Sequence, residues 1–272
     1  MRALNSMSQL KDTTIKLVDD YKIKSNNENG QNFLIDENVL THEINEAKLK
    51  PSDIVLDIGA GFGSIESIVS RQCKVIAIEK EIKCYSYLID KYEIDPNVQI
   101  INADALEIIY PRFNKIISNP PYNIADRIID KLSFYDFETG IMILPNTIAK
   151  QFVSKENDTK FSAIQKIFFD FIDLGEIKKE SFYPVPRVTS RMIQITKKQD
   201  DISQEIFKRK EMLLKNAFMN GIIALNYKTK KESKKSFEGL PDMIKLFGNK
   251  QVKELKLNEI TEITKYLKDQ VF

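Results

Sequence analysis

The stretch that most restricts this fold is the apolar run Asp53-Ile54-Val55-Leu56-Asp57-Ile58, which leads without a break into Gly59-Ala60-Gly61-Phe62-Gly63. A strand ending in closely spaced glycines lets the backbone turn through positive φ and lets a ligand approach with no Cβ in its way. The spacing is G-x-G-x-G, not the G-x-G-x-x-G dinucleotide fingerprint, and no Walker-type lysine accompanies it. A second strand pattern, Lys74-Val75-Ile76-Ala77-Ile78, ends at Glu79, eighteen residues after Gly61. That is near the spacing at which a doubly wound fold offers an acid to ribose hydroxyls. A third, Val98-Gln99-Ile100-Ile101-Asn102, leads to Asp104, a carboxylate able to accept the exocyclic amine of an adenine ring. A fourth, Phe113-Asn114-Lys115-Ile116-Ile117-Ser118, ends in Asn119-Pro120-Pro121-Tyr122. Taken singly, an acid after a strand is often a helix cap, and Asn-Pro-Pro-Tyr an ordinary strand-to-helix turn. Four such endings in order place Gly59, Glu79, Asp104 and Asn119 along one crevice, because open α/β sheets bind ligands at the carboxyl ends of their strands.

The fourth ending carries the chemistry. A conjugated amine such as adenine N6 is a poor nucleophile, since its lone pair is delocalised into the ring. The Asn119 amide oxygen and the Pro120 carbonyl can each accept one N–H of such an amine and orient its lone pair towards an electrophile. Proline removes backbone donors and fixes φ, so the carbonyls of this turn point outward. Tyr122 offers a ring face on which a base could stack.

Together the glycine turn, the ribose acid, the adenine acid and Asn-Pro-Pro-Tyr resemble the S-adenosylmethionine-dependent amino-methyltransferases. Two further segments narrow the resemblance. Gly30-Gln31-Asn32-Phe33-Leu34, ahead of Asp36 and a helical pattern at Val39, Leu40, Ile44 and Ala47, is similar to the N-terminal cofactor motif of the rRNA adenine dimethyltransferases. Phe182-Tyr183-Pro184-Val185-Pro186-Arg187-Val188-Thr189-Ser190 is similar to that family's F-x-P-x-P-x-V-x-S signature. The six segments span residues 30 to 195, and the small-subunit dimethyladenosine transferases are the implied relatives, with the erythromycin-resistance methylases as cousins. The resemblance implies S-adenosyl-L-methionine as cofactor, held through Asn32, Leu34, Gly59, Gly61, Glu79, Asp104 and Asn119. It implies that Asn119 and Pro120 grip the target amine and that Tyr122 and Phe182 sandwich the target base. It also implies a ribosomal RNA substrate, within a pre-ribosomal small subunit, and dimethylation at N6 during ribosome assembly. A large-subunit resistance methylase, a DNA adenine or protein glutamine methylase, and a non-catalytic assembly factor are the competing readings. Two departures from the family bear on substrate: Pro120 stands where Leu is usual, and Pro145-Asn146-Thr147 where a Gln-Lys-Glu-like stretch is common.

Composition sets the frame. A chain of 272 residues accommodates one large and one small domain. The expected fold is α/β, a Rossmann-like methyltransferase sheet over residues 30–199, preceded by a polar N-terminal extension over 1–29 with a helical portion. A small helical RNA-binding domain over 200–272 follows, where Asp200-Asp201 breaks the extended pattern and helical periodicity begins. The whole chain is only +2, yet residues 191–272 carry eighteen Lys or Arg against eleven Asp or Glu. The densest cluster, Lys228, Lys230, Lys231, Lys234 and Lys235, reads either as a solvated face or, together with Arg187, as a phosphate footprint. No apolar run reaches the roughly 18 residues of a membrane span, and cytoplasmic residence as a monomer is expected. Cys73 and Cys84 are too few for a disulfide framework or zinc site, and His42, the single histidine, reads as a surface residue, so no metal is expected.

Overall fold

The computed structural model describes residues 9–23, 31–154, 158–225 and 228–268; Gly30 of the N-terminal motif lies outside them. The chain divides into two compact units, one of residues 1–153 and 171–197, the other of 154–170 and 198–272.

The first unit begins with helix α1 (Gln9–Asp20), the short strand β1 (Phe33–Leu34) and α2 (Glu37–Glu46). It then alternates β2 (Ile54–Ile58), α3 (Glu66–Val69), β3 (Lys74–Glu79), α4 (Ile82–Tyr92), β4 (Val98–Asn102), β5 (Lys115–Ser118), α5 (Ala125–Leu132), β6 (Thr139–Pro145) and α6 (Asn146–Val153). Strands β2, β3, β5 and β6 are apolar and almost wholly buried along their length, as a parallel sheet covered on both faces requires. Beyond α7 (Lys160–Phe168) come β7 (Phe169–Ile177), β8 (Phe182–Tyr183) and β9 (Ser190–Lys197). The seven-stranded sheet has the order β4-β3-β2-β5-β6-β9-β7. Its first five strands are parallel, and β9 runs antiparallel to β6 with Ile141 opposite Gln194. Antiparallel pairing enters the sheet with β9.

The order reverses between β2 and β5, and that is where the ligand crevice of such a sheet lies. A two-stranded ribbon stands apart from the main sheet: β1 pairs antiparallel with β8, Phe33 facing Tyr183 and Leu34 facing Phe182. It joins the Gln-Asn-Phe-Leu segment to the Phe-x-Pro-x-Pro segment, about 150 residues apart in sequence.

The division differs from the linear boundaries in two ways. Residues 154–170, which include α7, pack with the C-terminal helices, because α7 makes its contacts with α8 (Ile202–Phe207) and α12 (Leu257–Lys268). The N-terminal part is not merely a polar extension. Val18 and Ile23 are buried with Phe62 and Cys84, and Tyr21 meets the Phe62 ring at 5.6 Å. In the second unit α8 packs on α9 (Leu214–Ala224), which also contacts α10 (Lys230–Glu238), and α11 (Asp242–Leu246) follows α10 in the chain. Among the described residues no helix is long and apolar enough to cross a membrane, and no cluster of His, Cys, Asp and Glu is suited to a metal ion.

Candidate active site

The glycine turn follows β2 directly, and the physical demand on it is sharpest at Gly59. Its φ is +83°, in the left-handed region, and a Cβ there would come within 2.9 Å of Pro121 Cδ. The backbone of the turn therefore lies against the Asn119-Pro120-Pro121-Tyr122 segment at the end of the neighbouring strand. Gly61, at φ +56°, would place a Cβ 3.0 Å from the Phe33 ring. Just before these turns the Ser118 hydroxyl ties the strand ends together, donating to the Ile58 carbonyl at 2.9 Å and accepting from the Ile58 amide at 3.3 Å. The β2–β5 ladder pairs Val55 with Lys115 and Leu56 with Ile116. A side chain thus substitutes for the ladder where the crevice opens.

The two acids expected to read a nucleoside sit at successive strand ends in different electrostatic settings. Glu79 is 6% exposed, and its oxygens accept from the Gly61 amide at 2.8 Å and the Glu81 amide at 2.7 Å. Burial pushes its carboxyl up to about 7, and these amide bonds offset only part of that. Asp104 is more open. It accepts from Lys80 Nζ at 2.8 Å and from the Leu106 amide at 2.9 Å, and the lysine holds it below the usual carboxylate range.

Asn119 directly follows β5, its amide nitrogen donating to Glu43 Oε2 at 3.2 Å, while its Oδ1 is buried with no partner among the described residues. Glu43 comes from α2, whose apolar face of Leu40, Ile44 and Ala47 is buried. It is 0% exposed, and desolvation pushes its carboxyl up to about 8 against the lowering effect of the Asn119 bond. Behind it lie Asp57 and Glu66, both buried, both raised by desolvation, with Asp57 raised further by Glu66. Tyr122 is half-buried, its hydroxyl sharing a short hydrogen bond with Ser190 Oγ.

Two cavities meet at Gly59. One, about 420 Å³, is walled in part by Asn32, Leu34, Asp57, Gly61 and Asn119. The other, about 390 Å³, is walled in part by Gln31, Glu79, Asp104, Pro121 and Asn123. The structure therefore brings together every residue that the sequence assigned to a cofactor. Helix α1 contributes Gln9, Leu10, Thr13, Thr14 and Leu17 to the first cavity, a contribution the sequence did not reveal. Phe182 departs from the expected base sandwich. It is 1% exposed and meets Tyr122 edge to face at 6.3 Å, so no slot the width of a base separates the rings. Pairing with β1 draws Phe182 into the core beside Leu34. The departing loop at Pro145-Asn146 is tied to the same signature, Asn146 donating to the Thr189 carbonyl at 2.9 Å and to its hydroxyl at 3.0 Å.

Of the residues assigned to RNA, Arg187 is exposed in the first unit. In the second unit, Lys230, Lys231, Lys234 and Lys235 project from α10, capped by Thr229 and Glu232. Lys228 is partly buried and donates to Ser236 at 2.9 Å. His42 is on the surface, 3.9 Å from Glu46. Glu43 is the functional candidate that sequence reading missed. Its signal was available: it occupies the core-facing position between Leu40 and Ala47 of an otherwise apolar helical stripe.

A mostly parallel sheet with an added antiparallel strand, a crevice at its switch point and Asn-Pro-Pro-Tyr at the carboxyl end of β5 are the features of an S-adenosylmethionine-dependent amino-methyltransferase. Residues 22–269 match the family model for ribosomal RNA adenine dimethylase, and the chain belongs to that family, whose enzymes methylate adenine in ribosomal RNA. It is 32% identical over 270 residues to "Probable ribosomal RNA small subunit methyltransferase A" of Thermococcus sibiricus, covering 93% of this chain and 96% of the relative. The protein of the same name from Pyrococcus furiosus is 30% identical over 275 residues, covering 96% and 98%. Among solved structures, a dimethyladenosine transferase from Plasmodium falciparum superposes with TM-score 0.61 at 22% identity, over 87% of this chain and 97% of that one. The 23S rRNA methyltransferase ErmE superposes with TM-score 0.60 at 18% identity, over 88% and 100%. These two likenesses bear on the fold.

Proposed function

We propose that this enzyme dimethylates N6 of adenosines in small-subunit ribosomal RNA, using S-adenosyl-L-methionine, and that it acts in the cytoplasm as a monomer on a pre-ribosomal small subunit. The observation that carries the reading is the Asn119 amide: its nitrogen is engaged by Glu43, and its buried oxygen, at the wall of the cofactor cavity, has no donor among the described residues. An unpaired buried acceptor costs stability, and an amine N–H is the partner that would satisfy it.

The residues present fit the cofactor. Gly59 and Gly61 line the first cavity beside Asn32 and Leu34, where its amino-acid part would lie. Glu79 lines the second cavity, where its carboxylate would accept ribose hydroxyls, and Asp104 lines the same cavity, where it would accept an adenine amine. When bound, the cofactor supplies a methyl group on a sulfonium, already activated for transfer. The protein's part is orientation and desolvation. Asn119 Oδ1 and the Pro120 carbonyl accept the two N–H groups of the target amine and turn its lone pair towards the methyl. Tyr122 provides the stacking face and is braced from behind by Phe182 and through its hydroxyl by Ser190. No strong base is required, because the nitrogen becomes acidic once alkylated and its proton can leave to water. A second methylation needs one remaining N–H and one acceptor. Pro120, in place of the family's usual Leu, keeps the carbonyl that serves as one of them.

Arg187 and the α10 lysines are assigned to RNA phosphates. The small-subunit target follows from the relatives' names; a large-subunit target is the alternative outcome. The test is incubation with labelled cofactor and, separately, undermethylated small subunits, large-subunit RNA and duplex DNA, followed by mapping of the labelled nucleotide. Label confined to adenosines of the small-subunit RNA supports the proposal, and label on the other two substrates alone overturns it.

A further inference from the structure

We infer that Glu43 is a positioning residue for the methyl-transfer step: it fixes which end of the Asn119 amide faces the target amine. The inference deepens the reading of Asn119 given above and rests on it.

An amide side chain has two ends of nearly equal shape and opposite hydrogen-bonding sense, and only its partners decide which end points where. At Asn119 the choice has chemical consequences. With Oδ1 towards the cavity the side chain accepts an N–H; with Nδ2 there it would present donors to an amine whose hydrogens also need acceptors. Among the described residues one side-chain partner sets that choice, Glu43 Oε2, which takes the Nδ2 hydrogen at 3.2 Å across 76 residues of sequence. Glu43 is suited to the task in either protonation state. A carboxylate only accepts, and a neutral carboxyl still has a carbonyl oxygen that accepts.

The rest of the environment of Glu43 gives no competing reason for a carboxyl there. Its neighbours on the buried face of α2 and at its C-cap are Leu40, Ile44 and Ala47, and its second oxygen, Oε1, is buried without a partner among the described residues. A buried carboxyl with one neutral hydrogen bond lowers stability relative to an apolar side chain of the same size. Among the described residues, burial and the Asn119 hydrogen bond are the influences on its carboxyl, and no cation is among them. What Glu43 contributes is therefore read at Asn119.

The test compares Glu43→Leu, Glu43→Gln and Asn119→Ala in single-turnover methylation with saturating S-adenosylmethionine and small-subunit RNA. Cofactor affinity by calorimetry and the midpoint of thermal unfolding are measured in parallel. Glu43→Leu removes the acceptor, and its single-turnover rate is expected to fall on the order of 10- to 100-fold, the penalty of a mis-set reactive group. Cofactor affinity should stay within about twofold and the unfolding midpoint should hold or rise, because the cost is orientation, not folding. Glu43→Gln can present its own Oε1 to Asn119 and is expected to recover most of the rate. Should Glu43→Leu fail to fold, Glu43→Met removes the same acceptor with an unbranched side chain. A Glu43→Leu rate near that of the wild type overturns the inference, as does a rate loss matched by equal losses of cofactor affinity and stability, or a Glu43→Gln variant as slow as Glu43→Leu. Asn119→Ala separates the two levels. If it turns over normally, the role of Asn119 itself falls; if it is inactive while Glu43→Leu is fast, only the positioning role of Glu43 does.

Discussion

Replacing Glu43 by Gln should change how the stability of the protein depends on pH, and the size of the change can be worked from burial. Glu43 is fully buried, with its carboxyl pushed from an ordinary value of 4.5 up to about 8 by desolvation. The group is therefore neutral in the folded chain over a range where the unfolded chain has already released its proton. For a carboxyl raised in this way, the folded state binds more protons than the unfolded one. Its contribution to stability is whole below about 4.5 and is lost as pH rises towards about 8. Integrating the linkage relation between those values, about 2 kcal/mol is lost by pH 6 and about 5 kcal/mol by pH 9. Gln cannot ionise, so the variant escapes the loss, and its stability relative to the wild type should grow by about 3 kcal/mol between pH 6 and pH 9. Asp57, Glu66 and Glu79 are also raised by burial and remain in both proteins, so both curves fall with pH, and their separation reports Glu43 together with the part of the Asp57 shift that Glu43 causes. Urea unfolding of the two proteins at several pH values, with unchanged slopes against denaturant, measures that separation. Parallel curves would refute the reasoning and place Glu43 in contact with water or a cation.

Other residues of the crevice give separate tests. Glu79→Gln should weaken S-adenosylmethionine binding by about 1–3 kcal/mol, the range for hydrogen bonds to a charged group. Because burial places the Glu79 carboxyl at about 7, calorimetry from pH 6 to 8 should show wild-type affinity rising as Glu79 ionises, and the variant flat. Gly59→Ala forces a side chain into φ +83° and within 2.9 Å of Pro121; it should cost about 1–2 kcal/mol of stability in strain and reduce both cofactor affinity and turnover. Changing Lys228, Lys230, Lys231, Lys234 and Lys235 to Gln should weaken RNA binding and flatten its dependence on salt, since fewer counterions are released. Cofactor affinity, measured on the same protein, should not move.

The four strand endings were legible in the sequence because each couples a short apolar run to a residue type with a narrow use. Glycines at Gly59 and Gly61, an acid at Glu79, another at Asp104 and an amide at Asn119 all mark the carboxyl edge of a parallel sheet, and the sheet places them there. The β1–β8 ribbon was not legible. Its two residue pairs are too short for a periodic pattern, and the partners are about 150 residues apart. The burial of Phe182 follows from that ribbon, which is why a ring assigned to an open sandwich lies in the core. In the sequence helix α1 resembles a polar extension, because Asp12, Asp19 and Asp20 obscure the stripe of Thr14, Leu17 and Val18 that faces the protein. The division of 154–170 from the sheet could not be read either. Helix α7 is amphipathic like its neighbours, and only tertiary contacts with α8 and α12 decide which unit it joins.

The most direct measurement digests small-subunit RNA to nucleosides after reaction with the wild type and with Asn119→Ala, and weighs the products by mass spectrometry. The account predicts N6-methyladenosine and N6,N6-dimethyladenosine with the wild type, and almost none with an Asn119→Ala protein that still binds S-adenosylmethionine by calorimetry. Methyl groups on another base or another adenine nitrogen, or undiminished N6 methylation by Asn119→Ala, would contradict it.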